Sequence, residues 1–198
     1  DLHSFPTRRS SDLHIAPKAE AIYERAIHHY ARGMAHAGKG DLAAADAELA
    51  SLRQLAPHPA LPVTQVSARN NAEQIVAVAE RMLTGDIAAR RKQYDAAIAA
   101  LREGVEREDA LGYNEPEDWH YPVRLLLGTV LLDAGKAREA EPAFREDLGK
   151  HPENGWALHG LAQSLAKQNR LTEAAAVRSR FEKAWQHADV ELTAAVIR

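Results

Sequence analysis

Small and apolar positions in the C-terminal half of the chain recur with a period of 34 residues. Gly128, Leu131, Gly135, Ala140 and Pro152 set the pattern, which returns one period later as Ala162, Leu165, Asn169 and Ala174. Each period holds two stretches of helical spacing with a breaker between them, which predicts a helix–turn–helix unit. One such unit cannot bury its apolar face alone, but stacked units can, so the pattern predicts an all-α stack of helix pairs. The small residues have a packing reason: paired helices approach closely only where one of them lacks a bulky side chain.

The N-terminal half carries the same pattern less regularly. Gly33, Gly40, Leu42, Ala45, Leu49, Leu52 and Pro57 outline one unit, and Gly85, Ala88, Tyr94, Ala97, Leu101 and Gly104 another. Gly40 and Gly135 stand where a first helix must end and the chain must turn. Asp41 and Asp95 suit the starts of second helices, where a carboxylate meets unpaired N–H groups. Equivalent positions Gly33, Gly85, Gly128 and Ala162 are 52, 43 and 34 residues apart, so the first two junctions are long. We expect units over 14–56, 72–105, 122–152 and 153–187, the last either a fourth repeat or capping helices. A proline-containing loop at 57–71, an inserted segment at 106–121 and a tail at 188–198 complete the division.

These residues resemble the tetratricopeptide-repeat family over nearly all of Ile15–Asp189. The resemblance implies a right-handed superhelix of helix pairs whose concave groove holds other molecules. Arg124 and Asp147 depart from the family pattern, standing where it has a large apolar and a small residue. The last unit drifts, with Arg178 and Phe181 off pattern, as the end of a stack does where it meets solvent. Tyr113–Arg124 (YNEPEDWHYPVR) and the segments REDLGKHPENGWALHGLAQSL and FEKAWQHADVELT are similar to large uncharacterised bacterial tetratricopeptide-repeat proteins. That likeness implies a bacterial scaffold and no activity.

Asp1–Asp12 (DLHSFPTRRSSD), followed by Leu13, resembles the in-frame translation of a short-read sequencing adapter. The expectation is that residues 1–13 are foreign to the fold, that His3, Arg8 and Arg9 carry no function, and that the chain is a C-terminal fragment of a longer protein. The net charge of −3 argues against nucleic acid as a partner, since phosphate binding needs a basic stripe. No apolar run is long enough to cross a bilayer, so no membrane insertion is expected. Cysteine is absent, which removes disulfides and thiolate chemistry but leaves the compartment open.

Groove positions map onto Tyr30 and Met34 of the first unit and Met82, Asp86 and Arg90 of the second. The third contributes Leu125, Thr129 and Asp133, and the fourth Trp156, His159, Gln163 and Lys167. This mixture of aromatic, acidic and basic groups suits a peptide and lacks the basic cluster that grips a chaperone C-terminus. The alternative is that these residues are solvated or paired locally. Trp119, His120 and Tyr121 form an aromatic loop that either folds over the groove to meet a ligand or plugs the junction ahead of Pro122. The nearby acids Glu115, Glu117 and Asp118 suggest acid–base work only if burial raises a pKa.

His28, His29 and His36 share one predicted helix, but metal-ligand spacing is missing, and the remaining histidines are scattered. No phosphate loop or nucleophile motif is present. No cofactor and no catalytic residue is therefore assigned. The leading expectation is a non-catalytic scaffold binding a protein or peptide in its groove. The alternatives are an accessory region of an enzyme whose catalytic domain lies upstream, and a ligand- or metal-responsive module.

Overall fold

The computed structural model describes residues 17–189 together with 192, 194 and 195. The adapter-like segment with His3, Arg8 and Arg9 lies outside the described residues, as do 14–16, 190, 191, 193 and 196–198. Among the described residues there are eight helices: α1 (Ile22–Gly38), α2 (Leu42–Leu55), α3 (Ala72–Arg90), α4 (Tyr94–Asp109), α5 (Val123–Asp133), α6 (Ala137–Lys150), α7 (Gly155–Lys167) and α8 (Leu171–Ala184). Consecutive helices pack in pairs, α1 with α2 through α7 with α8. Each first helix also touches the first helix of the next pair, α1–α3, α3–α5 and α5–α7, which makes one stack with a continuous core.

All four turns inside the pairs are built alike although their sequences differ. Gly40, Lys92, Gly135 and Asn169 each adopt positive φ just after a first helix. The following N–H then reaches back to the last helical turn: Asp41 to His36 O at 2.9 Å, Gln93 to Ala88 O at 2.9 Å, Lys136 to Leu131 O at 2.8 Å and Arg170 to Leu165 O at 3.0 Å. This is the Schellman closure, which satisfies orphan carbonyls and needs one left-handed residue. Gly meets that need without strain; Lys92 meets it at a cost of roughly 1–2 kcal/mol. Asp41 caps α2 through Ala44 N at 3.2 Å. Asp95 lies inside the first turn of α4 and pairs with Lys136, so it acts there through charge and not as a cap.

Phe144 of α6 is fully buried between two glycines, one on each neighbouring first helix. A Cβ on Gly128 of α5 would lie 2.5 Å from the Phe144 ring, and one on Gly160 of α7 would also overlap it. The spacing between α5, α6 and α7 is therefore set by one aromatic ring and two missing side chains.

The two long junctions are structured. In 57–71, Leu61 is fully buried, and Thr64 O accepts from Ala72 N at 2.8 Å ahead of an Asn71–Gln74 capping box. Helix α4 continues to Asp109, so the first residues of the expected insertion are one more helical turn and the irregular stretch begins at Ala110. Among the described residues no helix is long and apolar enough to cross a membrane.

Candidate functional site

The irregular stretch between α4 and α5 returns across the first helices of the first two pairs. Its Trp119 ring packs on Tyr30 of α1 with centroids 5.2 Å apart, and His120 flanks both rings. The Tyr30 hydroxyl donates to Met82 Sδ at 3.4 Å, and burial pushes its pKa far up, with Asp86 adding to the shift. Asp86 is in turn held by Arg90 Nε at 2.7 Å. Of the expected groove residues, Tyr30, Met82, Asp86 and Thr129 retain only 5%, 3%, 1% and 4% of their exposure, and the Thr129 hydroxyl donates to its own helix at Leu125 O. Met34 is half-buried, while Asp133 and Lys167 are exposed near helix ends.

Stapling between the two long junctions holds the stretch in place. Asn70, almost fully buried, donates to Gly112 O and accepts from Gly112 N, both at 2.8 Å. Asp118 accepts from Ser67 and Asn70, each at 2.6 Å, and from Asn114 at 3.2 Å. Burial alone would raise the Asp118 pKa, but these hydrogen bonds hold it below the usual range. Glu117 reaches His151 at the end of α6, and the Tyr121 hydroxyl donates to Ala195 O at 2.9 Å. The Trp119 indole N–H is buried with no acceptor among the described residues, an omission costing about 1–3 kcal/mol.

Beneath this stretch, between the end of α4, the start of α5 and the end of α6, is a cavity of about 340 Å³. Arg124 spans its wall, donating to both oxygens of Asp109 and, at 3.3 Å, to Glu146. Lys150 also donates to Asp109, whose pKa these cations hold low, Arg124 first. Asp147 is fully buried, and burial raises its pKa although His151 at 3.0 Å and Asn154 at 2.8 Å both bond to it. Burial lowers the His151 pKa, but Asp147 and Glu117 outweigh it and the net shift is upward. Glu108 accepts from Val123 N at 3.0 Å, capping α5 from the preceding helix, and burial pushes its pKa to about 7.

At the far end of the stack the rings of Trp156, Phe181 and Trp185 gather around His159. Phe181 and Trp185 stack with centroids 5.8 Å apart, Trp156 meets Trp185 edge-on at 5.6 Å, and His159 lies 5.3 Å from Phe181. His159 also shares a 2.9 Å hydrogen bond with Gln163. His159, Gln163, Phe181 and Trp185, together with Arg178 and Leu192, line an open hollow of about 290 Å³, with Trp156 behind Trp185.

A family profile described as tetratricopeptide repeat matches residues 125–188. Helices α5 to α8 are tetratricopeptide repeats. No curated protein matches the chain. Among solved structures, one of MamA MSR-1 is similar over 83% of this chain and 98% of that chain, at 18% identity and a TM-score of 0.48. One of MamA AMB-1 is similar over 84% and 94%, at 20% identity and a TM-score of 0.48.

Tetratricopeptide repeats are protein-interaction scaffolds, and the repeat register explains how exposure is distributed. One period before His159 and Gln163 stand Leu125 and Thr129, which are buried. The hollow at His159 and Gln163 is thus the face on which a following repeat helix would stack. Arg124 and Asp147, the two departures within the third unit, both line the junction cavity. Sequence reasoning noted those departures but missed Glu108, Lys150 and Asn70, because their partners lie across junctions of irregular length. Among the described residues no group of three or more His, Asp or Glu could hold a metal ion.

Proposed function

We propose that the chain is a binding scaffold whose working surface is the aromatic hollow at the end of the stack, formed by His159, Gln163, Phe181 and Trp185, with Trp156 packed edge-on against Trp185. The observation that carries this reading is the partial exposure of His159, Gln163 and Phe181 at register positions, those of Leu125, Thr129 and Asp147, that are buried one repeat earlier. Large rings left half-covered are the usual anchors of protein interfaces, and a following helix is the shape the face is built to receive. The partner is accordingly an amphipathic helical segment presenting apolar side chains to the rings, with Arg178 and Glu182 at the rim for polar contacts. Tyr30, Met82 and Asp86 belong to a groove that the chain's own Trp119 stretch closes, so they contribute to binding only when that stretch is displaced.

Display selection of helical peptides against the full chain tests this reading. Selected peptides should lose tenfold or more in affinity against Trp185→Ala, with helical content unchanged. Peptides that bind the variant as well as the unaltered chain would place the working surface elsewhere.

A further inference from the structure

The stripe of α6 that α7 covers has an uncovered counterpart one period later. On α6 the stripe runs through Ala137, Glu141 and Phe144. Ser164 of α7 donates to Ala137 O at 2.7 Å, Gln168 just beyond α7 donates to Glu141 at 2.9 Å, and Gly160 abuts the Phe144 ring. The same register places Leu171, Ala175 and Arg178 on α8, and the stripe continues to Glu182. All four are exposed, Leu171 at 62%. Trp185, half-buried just past the helix, extends the stripe, so its members are spaced by four, three, four and three residues. That spacing is the seam of two paired helices.

The decisive difference is Arg178 in the place of Phe144. A further repeat helix built like α7 would present glycine to Arg178 and bury a guanidinium without a counter-charge, which is costly. The covering helix has to bring a carboxylate to Arg178 and a cation to Glu182. Among the described residues neither forms an ion pair, with each other or elsewhere. Glu141 and Arg145 of α6 do close across the same spacing, at 2.8 Å. Their acid-first order is the favoured one within a helix, and Arg178 and Glu182 have the reverse.

Helix α8 itself carries the matching set. When two copies of it lie antiparallel about a two-fold axis, the seam pairs Arg178 with Glu182 and Ala175 with Trp185, and symmetry repeats each pair. Every charge meets its opposite, and each indole meets a small side chain. Arg180, nearest the axis in sequence, lies on the other side of the helix and is held there by Glu153 at 2.6 Å.

We propose that the helix received by the aromatic end of the stack is α8 of a second copy of this chain, forming a two-fold dimer through the seam of residues 171–185. The proposal rests on the scaffold reading of that end and names its occupant.

Sedimentation equilibrium of the full chain tests it and should show a monomer–dimer equilibrium. Arg178→Glu sets like charges against each other in both inner pairs and should weaken the dimer tenfold or more, as should Glu182→Arg. Mixing these two variants should restore a dimer, and so should the double reversal in one chain. Circular dichroism should show unchanged helical content, because both positions are exposed. Should a reversal fail to fold, the unaltered chain and Ala175→Gln decide: the chain should dimerise, and filling the notch that faces Trp185 of the second copy should weaken it tenfold or more. A chain that stays monomeric at about 1 mM, a dimer indifferent to the reversals, or a mixture that stays monomeric overturns the proposal. A monomer that still binds the selected helical peptides through Trp185 overturns the second copy alone and leaves the scaffold surface standing.

Discussion

The ring of Trp119 lies 5.2 Å from that of Tyr30, so the segment leaving the second helix pair closes over the first. The contact joins the first helix of the chain to a stretch that precedes the third pair. It makes the N-terminal half of the stack depend on a loop as well as on neighbouring helices. Trp119→Ala should cost about 3–5 kcal/mol by opening a cavity against Tyr30. Urea denaturation reads that loss directly, and a cost below about 1 kcal/mol would mean the contact contributes little.

Phe144 and its two glycines set the spacing of three helices. Phe144→Ala should destabilise by about 3–5 kcal/mol, because the surrounding helices cannot collapse into the space without moving together. Gly128→Ala should cost about 1–3 kcal/mol through overlap with the ring, and Gly128→Leu more. Combining Gly128→Ala with Phe144→Leu should cost less than the sum of the two single changes, since both act on one contact. Thermal or urea unfolding of the four proteins checks the coupling; strict additivity would disprove it.

Lys92 occupies a turn position that Gly40 and Gly135 fill without strain. Lys92→Gly should therefore stabilise the chain by about 1 kcal/mol, the relief of the left-handed residue less the added freedom of the unfolded glycine. Gly135→Ala should destabilise by a similar amount, about 1 kcal/mol. Opposite shifts in the urea midpoint are the expected result.

Glu108 should make stability pH-dependent in a direction opposite to that of a salt-bridged acid. Its folded pKa of about 7 lies above the unfolded carboxylate value, so the folded state holds the proton more tightly. Stability is greatest below the unfolded pKa, falls as pH rises from about 4.5 to 7, and is level above that. Arg124 and Lys150 oppose the shift and Asp109 adds to it, but burial dominates. Compared with the native chain, Glu108→Gln should gain relative stability over that window, up to about 3 kcal/mol at pH 8. Parallel pH profiles for the two proteins would remove Glu108 as the cause.

Much of this was legible in the sequence. The positions of Gly128, Leu131, Ala162 and Leu165 carry the repeat, and the family match over 125–188 and the eight-helix stack agree with it. Gly40 and Gly135 announced their turns by composition. The turn at Lys92 did not, because the geometry was imposed there by packing on both sides of it. Tyr30 and Met82 were recognisable as first-helix positions of the expected groove, but their closure by Trp119 was not. Neither the length of a junction nor its prolines states which way it crosses the stack.

The sequence by itself determined what is local and periodic: which stretches are helical, where they break, and where small residues let helices touch. These follow from side-chain spacing along a helix and from the backbone demands of a tight turn. Only the tertiary structure decided the paths of the two irregular junctions, stapled by Asn70 and Gly112, and with them the cavity at Glu108. The physical reason is that a repeat interface is set by near neighbours one period apart. A loop's resting place, in contrast, depends on hydrogen bonds between groups that no spacing rule relates.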